Sequence, residues 1–193
     1  LKQLCQIDGI RWIRLMYCYE DRITDELIQT IREDDKICNY LDIPIQHASD
    51  NILKAMKRRS TNRSITDKIA KLKEQIPDIH IRTTLITGFP GETEEDFDTL
   101  YDFVAEQRFA RLGVFAYSQE EGTVAGQMPN QIDEEIKTER ADSIMRLQME
   151  ISLEENRSKI DTIQEVIVDE IDEDGSYIGR TRYDAPEIDN AVI

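Results

Sequence analysis

Tyr40-Leu41-Asp42-Ile43-Pro44-Ile45-Gln46-His47 and Arg82-Thr83-Thr84-Leu85-Ile86-Thr87-Gly88-Phe89-Pro90-Gly91-Glu92 are two apolar runs that close in polar residues and give way to helical patterns. A short apolar run bounded in this way reads as a buried strand. Strands that alternate with helices pair in parallel through right-handed crossovers and present their chemistry at their carboxyl ends. The two polar strand ends are therefore expected to face one pocket.

Working outward, Trp12 to Tyr19 and Arg111 to Tyr117 are rich in β-formers and add a strand on either side. Thr24 precedes Asp25 and Glu26 and the apolar residues Leu27, Ile28 and Ile31. That order predicts an N-cap with negative charge at the positive end of a helix dipole. A short helix is expected near 50–58. A second follows in which Ile65, Ile69, Leu72 and Ile76 recur at helical spacing, with Ser64 and Asp67 in capping-box register and Pro77 as the stop. Thr93 opens another helix with Phe97, Leu100, Tyr101 and Val104 on one face. These units predict an α/β fold, a partial, TIM-like parallel β/α barrel, incomplete because closure needs more strands.

Ser118 to Asn130 holds Gly122, Gly126 and Pro129 without periodicity and predicts a loop. From Gln131 to about Ile160 there is no Gly or Pro, and Ile132, Ile136, Ile144, Leu147 and Ile151 outline a long amphipathic helix. The pattern then changes: Gln164 to Val168, an Asp174-Gly175 turn and Tyr177 to Arg180 predict a β-hairpin. The expected organisation is the later part of a barrel over residues 1–161 and the start of a small all-β domain over 162–193.

With 39% hydrophobic residues the chain can bury a core. Cys5, Cys18 and Cys38 are scattered and odd in number, which argues against a disulfide framework and suits a reducing compartment. No run of about eighteen apolar residues and no export pattern occurs, so a cytoplasmic protein without a membrane partner is expected. The chain begins at Leu1 and ends at Ile193 in strand-like sequence, and reads as an internal piece of a longer protein.

The net charge is −16, and residues 161–193 carry half of it, with ten acidic and two basic side chains. Such a surface repels phosphate and favours a cationic partner, so nucleic acid is not expected as the direct substrate. Residues 54–73 run the other way, with eight Lys or Arg against Asp67. That run reads either as a solvated helix face or as a contact for an anion at the pocket mouth.

There is no Gly-x4-Gly-Lys-Ser/Thr loop, no Gly-x-Ser-x-Gly elbow, no His-Glu-x2-His pair and no Cys-x2-Cys. The YLDIPIQH segment at 40–47, the Gly88-Phe89-Pro90-Gly91-Glu92 turn and Asp184-Ala185-Pro186-Glu187-Ile188-Asp189 together resemble the radical S-adenosylmethionine methylthiotransferases, over essentially the whole chain. The resemblance implies an open barrel of six units followed by a TRAM module. It also implies S-adenosylmethionine and two 4Fe-4S clusters as cofactors, one of them on a Cys-x3-Cys-x2-Cys loop. The cysteines here are spaced too widely for that loop, so no metal ligand is expected in this chain, and alone it is expected to be inactive.

The implied reaction is methylthiolation of the β-carbon of an aspartate in ribosomal protein S-twelve, a C–H bond so unactivated that it calls for a radical cofactor. The implied partner is that basic protein, free or in the small ribosomal subunit. A tRNA adenosine methylthiotransferase and a non-catalytic acidic module for basic ribosomal proteins are the other readings; the acidic end favours a protein substrate over tRNA.

In that setting the resemblance makes Gln46 and His47 candidates for contacts to the nucleoside half of S-adenosylmethionine or to substrate. Gln46 is suited as an uncharged donor and acceptor, whereas His47 also reads as a structural hydrogen-bonding group. Arg82 needs an anion: an ion pair with Asp42, or a cofactor or substrate carboxylate. Thr84, Gly88 and Phe89 resemble the support for adenine, although Gly88 and Gly91 also fit as turn glycines. Tyr117 and Ser118 complete the rim, and Tyr19 reads as rim or core.

Overall fold

The structure is a computed structural model that describes residues 1–193. Four parallel strands, β1 (Ile13–Leu15), β2 (Ile37–Asp42), β3 (His80–Thr87) and β4 (Arg111–Ala116), lie side by side in chain order. Helices connect them: α2 (Asp25–Glu33), α3 (Asp50–Ala55), α4 (Asn62–Gln75) and α5 (Glu94–Gln107), with α6 (Glu134–Ser158) after β4 and a single turn, α1 (Lys2–Cys5), before β1. The sheet does not close, and β1 and β4 are its edges. This is the expected open β/α barrel.

Registered partners in a parallel pair share a face, and side chains alternate between faces. Ile81, Thr83, Leu85 and Thr87 of β3 are buried under the helices, while His80, Arg82, Thr84 and Ile86 are only partly covered on the inner face. The ladder places Tyr40 and Asp42 of β2, and Arg111, Gly113 and Phe115 of β4, on that same inner face.

Local chemistry sets the helix starts. Thr24 Oγ1 accepts from the Leu27 amide, and Thr93 with Asp96 forms a reciprocal capping box. The expected Ser64–Asp67 box is corrected: α4 starts a turn earlier, capped by Thr61 with Ser64, and Asp67 instead pairs with Arg63 one turn away. The strands are also shorter than their apolar runs. Tyr17, at φ 56°, turns the chain out of β1. The β2 ladder stops at Asp42 because Pro44 has no N–H to give, and the chain rejoins β3 at a single Gln46–Leu85 bridge.

α6 also departs from its reading. Ile136 is 40% exposed, and the buried side chains are Lys137, Arg140, Ile144, Gln148 and Ile151. The first turns of α6 lie against the polar 87–94 turn, so the buried positions there are cations with carboxylate partners. Residues 118–130 form an irregular loop with one 3-10 turn, Ala125–Gln127. Beyond α6, β5 (Val166–Ile171) and β6 (Tyr177–Thr181) form an antiparallel hairpin, and Val192 bridges back to Gly179.

Candidate functional site

The carboxyl ends of β2, β3 and β4 converge on one rim. Gln46 sits there at φ 72°, a left-handed backbone that a non-glycine residue keeps only when its surroundings over-determine it. Its amide donates to Thr84 O at 3.0 Å and its carbonyl accepts from the Ile86 amide at 2.8 Å. The side chain is half-buried, and its one contact is a 3.4 Å bond from Nε2 to Pro44 O. A rigid backbone thus carries an amide still able to serve a ligand.

Thr84 lies on the inner face opposite Gly113, and a Cβ at Gly113 would meet nothing within 4 Å. The space beside Thr84 at this point is open. Above it Phe89 and Tyr117 meet edge to face at 5.3 Å, and the Tyr117 hydroxyl is buried without a partner. Ser118 is exposed, with its hydroxyl donating to Glu120 at 2.8 Å.

The Gly88–Glu92 turn is held from behind. The Glu92 carboxylate, fully buried, accepts from the Gly88 amide at 2.8 Å and from Arg140 Nη1 at 2.7 Å. His47 Nε2 stands 3.3 Å from the same oxygen that takes the Gly88 amide, without a hydrogen bond to it. Because His47 Nδ1 accepts from the Ser49 amide at 2.9 Å, a neutral ring carries its proton on Nε2, toward Glu92. Neighbours in sequence therefore part company: Gln46 faces the rim, and His47 is buried behind it, tying that strand end to the glycine turn. Gly88, at φ 72°, also has the Lys137 stem pressed against its Cα, and Lys137 Nζ lies 5.3 Å over the Tyr117 ring.

Arg82 points to the same inner face but lower down. Its Nη1 donates to Asp189 at 2.8 Å, and its Nε lies 3.8 Å from Asp42. The Asp42 pairing considered from the sequence is thus present, with Asp189 as the nearer partner.

Arg58 is a rim residue that the sequence reading left inside the basic run. Its guanidinium stacks over Tyr19 at 5.0 Å, donates to Pro44 O and keeps a buried Nε without a partner. A cavity of 370 Å³ opens beside it, between Tyr19, Arg22 and Met56. Other members of the run are committed elsewhere: Lys71 to Asp25, and Lys68 and Lys73 to the carbonyls of Ile23 and Gln107.

The groups here that could hold S-adenosylmethionine are an orphaned hydroxyl, open space beside Gly113, a half-free amide and a tethered cation. The cysteines do not fit a cluster. Cys5 lies on α1, Cys38 on β2 and Cys18 beyond β1, and no three metal-ligating side chains converge. Burial raises the Cys18 and Cys38 thiols, which disfavours the thiolate a metal needs.

The model of the Radical SAM superfamily matches residues 1–104, more than half of the chain, and that of the TRAM domain matches residues 160–193. Proteins named ribosomal protein uS12 methylthiotransferase RimO from Clostridioides difficile (strain 630) and Geobacter sulfurreducens are each 54% identical over all of this chain. The counterpart from Desulforamulus reducens is 53% identical. The chain spans 43% to 44% of the length of these relatives. Among solved structures, Escherichia coli coproporphyrinogen III oxidase (HemN), described as a radical SAM enzyme, shares the fold at a TM-score of 0.55, covering 74% of this chain and 32% of its own, at 19% identity. An open parallel sheet with its free polar groups on one rim, and a family match over more than half the residues, lead to one conclusion: the chain belongs to the Radical SAM superfamily.

Proposed function

We propose that this chain forms the pocket wall of an enzyme that methylthiolates the β-carbon of an aspartate in ribosomal protein uS12. The observation that carries the reading is 54% identity, over the whole chain, to proteins of that name. The division into a barrel over 1–161 and a TRAM-like start over 162–193 is part of the same reading, as is a cytoplasmic site of action. No helix is long and apolar enough to cross a membrane.

S-adenosylmethionine, with the 4Fe-4S clusters of the family, supplies radical chemistry at a C–H bond that side-chain bases cannot ionise. What these residues contribute is orientation. Gln46 holds ribose or carboxylate oxygens, Arg58 takes the methionine carboxylate, and Thr84, Phe89 and Tyr117 flank the adenine in the open space beside Gly113. Gly88 lets the backbone approach the base, Ser118 closes the outer rim, and His47 supports Gln46 from behind. Arg82 is occupied by Asp189 and acts on the floor of the barrel.

Two measurements in the full-length, cluster-loaded protein test this. Offered uS12 and tRNA at equal ionic strength, the enzyme should place a methylthio group on the uS12 aspartate and leave tRNA unmodified. Modification of tRNA alone would overturn the assignment. Arg58→Ala should raise KM for S-adenosylmethionine by about 10- to 100-fold, the value of a charge-assisted hydrogen bond, with Gln46→Ala at or below the lower end. Arg58→Lys should recover only part of the loss because it lacks the planar fork. An unchanged KM in both alanine variants removes them from the site.

A further inference from the structure

The lower half of the inner face is filled by the chain's own end. From β6, residues 181–189 cross beneath all four strands. The Arg182 carbonyl accepts from Arg14 of β1 at 2.9 Å, and Arg182 Nη2 reaches the carbonyls of Asp35 at 3.0 Å and Ile37 at 2.9 Å. Ala185 is buried against Cys38 and Tyr40 of β2, with Trp12 and Met16 packed alongside. Tyr183 stacks on His80 of β3 at 4.1 Å and donates to Asp78 at 3.0 Å. Asp184 pairs with Arg111 of β4 at 2.5 Å.

Asp189 is the hub. Its carboxylate accepts from Arg82 at 2.8 Å, from the Tyr40 hydroxyl at 2.9 Å and from the Ala185 amide at 2.8 Å, and lies 3.9 Å from Arg111 Nε. Both acidic side chains of this cluster are almost completely buried, as is Arg111. Thr181 Oγ1 donates to Asp184 at 2.5 Å, which closes the turn on itself. A closed β/α barrel fills its floor with layers of side chains from its own strands. This open sheet fills it with an ion cluster borrowed from the next module.

We infer that residues 181–189 are a latch that fixes the β5–β6 hairpin to the barrel floor, and that Arg82 and Arg111 are positioning residues of that latch. On the barrel, the buried Arg111 and the partly covered Arg82 meet two buried anions on the latch. Removing one anion by substitution would leave its arginine short of opposite charge in a water-poor site, with only Asp42 at 3.8 Å left to Arg82, so breaking one pair should loosen the whole segment. Burial shields it from the salt that screens surface pairs. Burial alone would raise the Asp184 carboxyl, but the bonds from Thr181 and Arg111 outweigh it and hold the group below the usual carboxylate range. Burial and the Asp189 charge push the Tyr40 phenol up, so it stays a donor to Asp189. The consequence for catalysis rests on the function proposed above. A substrate protein docked on the hairpin is then held at a fixed distance from the rim at the opposite end of the same strands.

Hydrogen exchange on the full-length protein tests the latch without any turnover. Asp189→Asn keeps the shape and removes the charge facing Arg82. Amides 181–189 and the hairpin should exchange about a hundredfold faster, while amides 83–87 of β3 keep their protection. Unchanged exchange at 181–189 overturns the latch, and so does an equal loss in β3, which would make the segment one more piece of a single core. Should the Asp189 variant fail to fold, Tyr183→Leu, which removes the His80 stack and the bond to Asp78, decides by the same comparison. In turnover, Asp189→Asn should raise KM for uS12 about tenfold or more and leave KM for S-adenosylmethionine unchanged; an unaltered KM for uS12 overturns the positioning role. Absence of methylthiolation by the unaltered enzyme counts against the proposed function alone, since exchange reads the latch by itself.

Discussion

Exchanging Glu92 for alanine should lower the stability of the full-length protein by roughly 3–5 kcal/mol, the cost of removing one partner from a buried ion pair. The carboxylate is fully buried and serves Arg140 and the Gly88 amide together, with His47 Nε2 at 3.3 Å. Its loss strands the Arg140 charge, since Glu94, the other partner at 2.9 Å, is a largely exposed side chain. Arg140→Met, which removes the cation instead, leaves Glu92 buried and should cost a similar amount. The Glu92→Ala, Arg140→Met double variant should be milder than either single change predicts, because no lone charge remains. Denaturant unfolding of the four proteins measures the coupling. Additive losses would mean that Glu92 and Arg140 do not act as a pair.

Glu92 also illustrates what sequence could tell and what it could not. Thr24 and Thr93 were legible as caps because a cap is a contact within four residues. Thr61 was missed for a related reason: Thr61 and Ser64 offer competing starts within one turn, and only the packing of α4 decides between them. The strands were legible from their apolar runs, and with them the rim, since Gln46, Gly88 and Tyr117 follow from where each run ends. The polar core was not. Arg140 lies 48 residues from Glu92, and Asp189 lies 107 from Arg82. Pairing over such spans leaves no periodic trace. The apolar residues of this helix therefore placed Ile136 in the core and gave no role to Lys137 and Arg140. Arg58 was hidden differently. It sits among Lys54, Lys57, Arg59 and Arg63, and only the fold reveals which of them reaches the rim.

Gly88→Ala should be nearly as damaging, and for two separable reasons. A Cβ there would stand 2.1 Å from Lys137 Cγ and 2.8 Å from its Cβ, and the backbone sits at φ 72°. Overpacking costs about 1–3 kcal/mol and a left-handed L-residue about 1–2 kcal/mol, so a loss of roughly 3 kcal/mol is expected. At this chain length that lowers Tm by about 6–12 °C. Lys137→Ala in the same protein removes the nearest atom, Cγ, but keeps the Cβ at 2.8 Å, so it relieves most of the steric part and leaves the backbone part. The double variant should therefore recover about 1–2 kcal/mol relative to the sum of the single changes, and thermal unfolding of the four proteins reads that difference. Gly91 supplies the control. It too has a positive φ, 87°, but a Cβ there meets nothing within 4 Å. Gly91→Ala should cost only the backbone share, about 1–2 kcal/mol. If Gly88→Ala is no worse than Gly91→Ala, the close approach of Lys137 does not constrain the turn, and left-handed geometry alone explains both glycines.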